Sequence, residues 1–169
     1  MSKLIKTFTA IPKELFRLNN GSSVLLRDRN VKPTGSYDLV TVGGKVKPKA
    51  LDPMSYAAPN GASLRPNTAT QNQLVHSLKG SNVVVYAIPA GMYNLEGTVS
   101  KMNNLFPGIQ LPSDLVLVHE RTDHYSLQAA KEMSLQDINT KITNFLNTDA
   151  EKLTKEQWLE KYPEPTEKE

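Results

Sequence analysis

Eleven prolines and nine glycines interrupt this 169-residue chain along most of its length. Proline lacks a backbone donor and glycine favours turns, so both residues tend to end regular elements. Their frequency predicts many short strands joined by turns rather than a bundle of long helices. Residues 30–69 are loop-like almost throughout, and loops of that length in compact domains are usually functional or contain short elements of their own.

The composition is that of a single globular domain. Apolar residues make up 38% of the chain and charged residues 22%, which suffices for one buried core at this length. No cysteine is present, which excludes disulfides, a thiol nucleophile and cysteine-bound zinc or iron–sulfur clusters. Neither a secretory hydrophobic region nor an apolar run of roughly 20 residues occurs, so we expect a cytoplasmic protein without membrane contact.

The net charge of +3 conceals an asymmetry along the chain. Residues 1–101 contain 13 Lys and Arg against 5 Asp and Glu, a net +8, whereas residues 102–169 contain 7 against 12, a net −5. A basic amino-terminal part suits an anionic ligand, either a nucleic acid or the pyrophosphate of a dinucleotide. A solvated lysine-rich loop is the alternative for four of these residues: Lys32, Lys45, Lys47 and Lys49.

Six short segments have the composition of β-strands. NVVVYAIP at 82–89 is β-branched and apolar on both sides, as in the centre of a sheet. LVLVHE at 115–120 and HYSLQA at 124–129 are separated by only three residues, which predicts a hairpin. Of the remaining strands, one is predicted at 14–19 and a second at 24–29, which pairs with the first as a hairpin across an Asn-Gly turn. The last is predicted at 37–42.

Helices are predicted at 68–78 and in the last quarter of the chain. Ser134 is a good N-cap, and apolar residues follow it at the spacing of a helix packed on a sheet: Leu135, Ile138, Ile142, Phe145 and Leu146. Thr154 and Gln157 form a capping box for a short helix, after which residues 163–169 are predicted to be a frayed acidic tail. The whole pattern predicts an α+β fold of mainly antiparallel sheet with peripheral helices.

Arg17 is the first candidate functional residue, because it lies inside an apolar strand. A guanidinium on a strand is held rigidly and suits bidentate recognition of phosphate or carboxylate. A structural salt bridge or an exposed strand face explains the residue equally well. The second candidate is PNGASLRP at 59–66, where small residues let a ligand approach the backbone and Ser63 orients it; an ordinary surface turn is the alternative.

HYSLQA at 124–129 is the third candidate, and alternation divides its side chains between two faces. Tyr125 and Leu127 share one face, and the apolar Leu127 predicts that this is the core face. The other face, directed outward or into a cleft, carries three polar residues: His124, Ser126 and Gln128. This pattern alone fits a polar hairpin as well as an active site.

Few other groups on this chain point to chemistry. The carboxylates nearest to the third candidate strand, for general-base work or for binding a ribose, are Glu120 and Glu132. Three scattered histidines do not predict a metal site, which usually needs three or four converging ligands. The phosphate-binding, dinucleotide-binding, hydrolase-elbow and zinc-protease motifs do not occur in the sequence.

The chain resembles the ADP-ribosyltransferase-like toxin family in three segments that occur in the same order: LFRLNNG, YAAPNGASLRP and LPSDLVLVHERTDHYSLQAAKEMSLQDINTKITNFL. The family is typified by a type VI secretion effector of Pseudomonas and has many fungal members, to which ALDPMSYAAPNGASLRPN is more similar. The resemblance places a toxin domain at residues 1–147 and an acidic helix and tail at residues 148–169.

The resemblance implies two small antiparallel sheets around a cleft for NAD, which such toxins use as a substrate. It also implies a catalytic role for His124 and contacts to NAD from four residues: Arg17, Asn19, Ser63 and Tyr125. Many ADP-ribosyltransferases have an ExE glutamate pair on a late strand. No such pair lies on a late strand here, and Glu120 and Glu132 are the candidate catalytic carboxylates by position.

Three hypotheses follow. The leading one is a toxin of ADP-ribosyltransferase type that acts inside cells, uses NAD to modify a macromolecular target or hydrolyses it, and is opposed by an immunity partner. The second is a non-catalytic toxin that keeps the fold and occludes its target, in line with the missing glutamate pair. The third is an RNA-binding or RNA-processing protein, whose binding weakens steeply with salt.

Overall fold

The structure, a computed structural model of the chain, describes residues 5–90 and 108–169. In these ranges the larger sheet has four strands in the order β1 (Lys6–Phe8), β6 (Leu115–Arg121), β7 (His124–Ala129) and β4 (Gly61–Leu64). A second sheet has the order β2 (Leu15–Asn20), β5 (Val83–Ile88) and β9 (Glu151–Thr154), and β3 (Lys45–Val46) pairs with β8 (Met133–Ser134). Each of these strand pairings is antiparallel.

Within residues 5–90 and 108–169, three α-helices accompany the sheets: α1 (Ala69–Ser77), α2 (Leu135–Asp149) and α3 (Lys155–Lys161). Each helix begins after an N-cap residue whose hydroxyl accepts a hydrogen bond from the backbone N–H three residues later: Thr68, Ser134 and Thr154. The sequence predicts the caps at Ser134 and Thr154. A 3₁₀ turn occupies Lys49–Leu51. Across the two described ranges, no helix combines the length and the apolar character that crossing a membrane requires.

The second sheet is buried on both faces, which explains the apolar composition of its central strand β5. On one face Leu15, Tyr86 and Ile88 join the main core, which also contains the inner face of α2 and the apolar face of β7. On the other face Phe16 and Trp158 pack edge to face at 5.4 Å and close a smaller core under α1 and α3. The predicted α+β fold of antiparallel sheets with peripheral helices is confirmed.

Two predicted strands are wrong. Residues 24–29 do not form a hairpin with β2, which instead pairs along its full length with β5. The backbone N–H groups of Val24 and Leu26 instead donate to side chains of α2. Residues 37–42 form only isolated bridges. Side-chain partners thus replace a strand ladder in this part of the chain, which the alternation of apolar residues does not reveal.

The prediction of a frayed tail is also wrong. The backbone carbonyl of Asn67 accepts hydrogen bonds from the N–H groups of Thr166 and Glu167, at 2.9 and 3.0 Å. The carboxylate of Glu167 also pairs with Lys13 at 2.7 Å. Because β9 belongs to the same sheet as β2 and β5, the segment after residue 147 is packed against the rest of the chain.

Candidate active site

The hairpin of β6 and β7 brings two of the predicted catalytic residues together. His119 lies opposite Tyr125, but the next pair is Arg121 opposite His124, so the register shifts by one residue at Glu120. Such a β-bulge changes the direction of a side chain relative to strict alternation. As a result, the carboxylate of Glu120 lies 2.9 Å from the imidazole of His124.

Ser63, which is distant in sequence, completes a hydrogen-bonded chain with these two residues. Strand β4 pairs with β7 so that Ser63 lies opposite Ser126. His124 Nδ1 is 2.9 Å from Glu120 Oε2, and His124 Nε2 is 2.9 Å from Ser63 Oγ. An ionised carboxylate can only accept, so Nδ1 carries a proton; in the neutral imidazole, Nε2 then accepts from the Ser63 hydroxyl. The order hydroxyl, imidazole, carboxylate is that of an activated nucleophile and its base.

The Glu120 carboxylate is buried, with a side chain only 6% exposed, and its other oxygen is also bound. Tyr56 donates its hydroxyl to Glu120 Oε1 at 2.5 Å, and Gln128 donates Nε2 to the same oxygen at 3.2 Å. Burial raises the pKa of Glu120, but the hydrogen bonds from His124 and Tyr56 outweigh it, so the pKa lies below its usual value. Burial, followed by the bond to Glu120, raises the pKa of Tyr56.

A layer of buried polar side chains holds the Glu120 carboxylate in place. Gln128 is fully buried; its Oε1 accepts from Asn60 Nδ2 at 3.3 Å, and its Nε2 lies 3.2 Å from Ser126 Oγ. Gly61 leaves room for these side chains, because a Cβ there would lie 2.1 Å from the carbonyl oxygen of Leu127 and 2.9 Å from Gln128 Cγ. The Asn-Gly pair of the second candidate segment is therefore a close approach of two strands rather than a surface turn.

Arg17 and Asn19 lie behind Ser63. The Arg17 guanidinium donates Nη1 to the carbonyl of Ser63 and Nη2 to Asn19 Oδ1, both at 3.2 Å. Burial lowers the pKa of Arg17, and the charge of Asp38 opposes that effect. Arg17 Nε is buried without a hydrogen-bond partner in the described part of the chain. Arg17 thus fixes the strand that carries Ser63.

The structure places the remaining candidates elsewhere. Tyr125 is 5% exposed and stacks on His119 at 4.3 Å, in the core that the strand alternation predicts for it. Glu132 is exposed and pairs with Lys47 at 2.7 Å. An E-x-E string does end the chain at 167–169, but its glutamates bind Lys13 and Thr70 near the start of α1.

Ser63, His124 and Glu120 line a cleft of about 600 Å³, a size typical of small-molecule sites. Its other walls come from seven residues in four parts of the chain: Ile5, Tyr37, Asp38, Tyr56, Ala58, Pro59 and Arg121. Two tyrosines give flat apolar surface, and Arg121 gives positive charge. A depression of about 450 Å³ between residues 23–25 and α2 contains no ionisable side chain.

Sequence reasoning did not identify Tyr56, Asp38 or the supporting role of Gln128. Asp38 is held at the cleft by Arg27, whose Nε and Nη2 each donate to its carboxylate at 3.0 Å. Burial raises the pKa of Asp38, but the hydrogen bonds from Arg27 outweigh this effect, so the pKa lies below its usual value. The only signal in the sequence was the placement of Gln128 on the face of His124. Tyr56 lies in the long loop-like interval without local periodicity. Asp38 lies in segment 37–42, whose pattern predicts a strand but no functional residue.

Comparison with protein-family models gives a match to the Tse2 ADP-ribosyltransferase toxin family over residues 13–158. The matched range includes the whole Ser63–His124–Glu120 chain and all of the supporting polar layer. Neither a search of curated proteins nor a search of solved structures finds a match. The match covers most of the chain, and the protein belongs to the Tse2 ADP-ribosyltransferase toxin family.

Proposed function

We propose that the protein is an enzyme that binds NAD in the cleft beside Ser63, His124 and Glu120. It releases nicotinamide and transfers ADP-ribose to a macromolecular target or to water. Its partners in this proposal are the macromolecular target and a neutralising immunity protein in the cells that produce it. The observation that carries the proposal is the continuous Ser63–His124–Glu120 hydrogen-bonded chain on a cleft wall of a member of this family.

The chemistry of NAD fits the groups that line the cleft. Cleavage of the nicotinamide–ribose bond develops positive charge on the ribose, as in glycoside cleavage. Glu120 remains ionised because of its lowered pKa, and a buried carboxylate stabilises such charge strongly. Tyr37 and Tyr56 offer surfaces for stacking of the flat rings of NAD, and Arg121 offers a charge for its phosphates.

Arg17 and Asn19 contribute from behind the cleft in this proposal. The Arg17 guanidinium is committed to the Ser63 carbonyl and to Asn19, so it positions Ser63 and adds positive charge near the phosphates. Tyr125 supports the hairpin from the core side by stacking on His119. The exposed carboxylate of Glu132 takes no part in the reaction.

Two isosteric substitutions test the proposal. The purified protein is incubated with NAD, with and without cell extract, and released nicotinamide is measured. We expect Glu120→Gln to lower turnover by about 100-fold or more, the usual range for losing a group that acts in proton transfer or charge stabilisation. Glu132→Gln removes the same charge at an exposed position and leaves turnover unchanged.

The alternatives predict different outcomes of the same experiment. Suppose that a thermal denaturation experiment shows the wild-type protein to be folded, but the protein releases no nicotinamide. This result overturns the enzymatic function and leaves the hypothesis of a non-catalytic toxin. Loss of turnover in Glu132→Gln but not in Glu120→Gln reverses the assignment of the carboxylate. The RNA-binding hypothesis predicts instead a complex with RNA that weakens steeply between low and physiological salt.

A further inference from the structure

We infer that Asp123 is a positioning residue, whose side chain holds the turn between β6 and β7 and thereby fixes the place of His124 in the cleft. This inference rests on the proposed function and applies whatever path the reaction takes. The turn consists of Thr122 and Asp123. It separates Arg121 from His124, and both of these residues line the cleft. The position of the turn therefore sets the positions of two groups that meet a ligand.

The residues of this turn do not stabilise it by themselves. Two-residue hairpin turns favour glycine, asparagine or aspartate at positive φ, whereas Thr122 is β-branched and has a φ of +34°. Backbone strain of this kind persists only where the surrounding structure imposes it. One such contact comes from His119, whose Nε2 lies 2.8 Å from the carbonyl oxygen of Thr122. Because His119 belongs to β6, this contact fixes the shape of the turn but not its place relative to the rest of the site.

The Asp123 side chain joins the turn to a distant part of the chain. The residue is only 6% exposed, and its Oδ2 accepts a hydrogen bond from the Thr68 hydroxyl at 2.6 Å. A carboxylate acceptor makes a hydrogen bond about twice as strong as a neutral one. Asp123 Oδ1 lies 3.6 Å from Arg65 Nε, in an ion pair without a hydrogen bond. These two contacts attach the turn to the end of β4 and to the start of α1.

The two partners of Asp123 are themselves fixed. Thr68 is fully buried, and its hydroxyl oxygen is also the N-cap of α1, where it accepts from the backbone N–H of Gln71 at 3.3 Å. Arg65 exchanges two backbone hydrogen bonds with Phe16 in β2, at 2.7 and 3.1 Å. Asp123 therefore ties the hairpin of β6 and β7 to α1 and to the second sheet.

This attachment matters because the imidazole of His124 meets partners on two different strands. Its ring nitrogens are 2.9 Å from Glu120 on β6 and 2.9 Å from Ser63 on β4. A shift of the turn relative to β4 lengthens the bond to Ser63. Misplacement of a reacting group by about 1 Å, caused by a substitution away from the chemistry, can lower the rate about 100-fold. Asp123 is next to His124 in the chain, and its buried side chain prevents such a shift.

Thr68→Val tests this role, because it removes the hydroxyl that binds Asp123 and keeps the shape of the side chain. Thr154→Val is the matched control: Thr154 is also an N-cap and accepts from the N–H of Gln157 at 3.1 Å, but it caps α3. We expect Tm to fall by about 2–4 °C in Thr154→Val and by more in Thr68→Val. Only Thr68→Val lowers kcat for nicotinamide release, by about 10-fold or more. Thr68→Ser keeps the hydroxyl and restores kcat.

A second readout separates positioning from a loss of stability. Long-range ¹H–¹⁵N NMR shows which nitrogen of an imidazole carries the proton, and we record it at a pH of about 8, where a free imidazole is neutral. In wild type and in Thr154→Val we expect His124 to show one tautomer, with the proton on Nδ1. In Thr68→Val we expect the two nitrogen shifts to average, because the ring is no longer held between two partners. The exposed His76 is the internal reference.

Asp123→Asn serves if Thr68→Val fails to fold. It keeps an acceptor oxygen for Thr68 and removes the charge opposite Arg65, so we expect a smaller loss of kcat and the same change in the His124 signals. A folded variant of either kind whose kcat and His124 signals match those of Thr154→Val overturns the inference and leaves the proposed function intact. Folded wild-type protein that releases no nicotinamide overturns the proposed function, and the role of Asp123 in the reaction with it.

Discussion

Strand β7 has an apolar face and a polar face, and the protein buries both. On the apolar face Leu127 and Ala129 are 0% exposed and join the main core. On the polar face Gln128 is 0% exposed and Ser126 is 2% exposed, yet neither is apolar. Apolar burial stabilises in proportion to area and has little directionality, whereas buried polar groups stabilise only when each has a hydrogen-bond partner.

This difference explains why the candidate site lies on the polar face. A buried hydrogen-bond network in which every member is satisfied is rigid and specifies one arrangement of its side chains. His124 stands at the edge of that network, where the cleft begins. The apolar face supplies stability and the polar face supplies geometry, and the two are joined through one strand.

The largest effect is expected from Gly61→Ala, which tests how tightly the polar face is packed. A Cβ at this position would lie 2.1 Å from the carbonyl oxygen of Leu127, and a backbone atom cannot yield as a side chain does. We expect a loss of more than about 3 kcal/mol in the free energy of unfolding, the upper end for overpacked positions. Denaturant unfolding measures this loss. A loss below about 1 kcal/mol, closer to that of a surface substitution, would contradict the close approach.

Leu127→Ala tests the apolar face of the same strand. Removing a fully buried leucine side chain leaves a cavity, and we expect a loss of about 3 kcal/mol. Because the polar network does not include this side chain, we expect KM for NAD to stay close to the wild-type value although the free energy of unfolding falls. A variant that is as stable as wild type but inactive would show that the two faces are not separable in this way.

Gln128→Met replaces the central polar side chain with an apolar one of similar length. Asn60, Tyr56 and Glu120 each lose a partner, and we expect a loss of about 1.5 kcal/mol for buried groups left unsatisfied. Unlike Leu127→Ala, this variant should lose turnover by a larger factor than its stability explains, because Glu120 is no longer held. Paired measurements of nicotinamide release and thermal unfolding decide the point.

Acid should weaken the polar face and not the apolar one. The folded-state pKa of Glu120 is lowered, so its contribution to stability is present above its unfolded pKa of about 4.3 and is lost as the pH falls through the lower folded value. We expect the difference in Tm between wild type and Glu120→Gln to shrink as the pH is lowered from about 6 to about 3. A difference that stays constant over this range would mean that the Glu120 charge is not stabilised in the folded protein.

The local elements of the fold were determined by the sequence. Several features depend on residues within a few positions of one another: the caps at Ser134 and Thr154, the central strand at 82–89 and the hairpin of β6 and β7. The placement of Tyr125 in the core also follows from alternation along one strand. Such features can be predicted because backbone geometry sets their periods of 3.6 and 2 residues.

The tertiary structure alone decided the long-range pairings and the site that they create. Strand β2 pairs with β5 rather than with residues 24–29, and β4 brings Ser63 to His124, 61 positions later in the chain. A single bulge places Glu120 beside His124, and a loop without periodicity supplies Tyr56. These contacts depend on sheet register and on packing between distant segments, for which local periodicity contains no information.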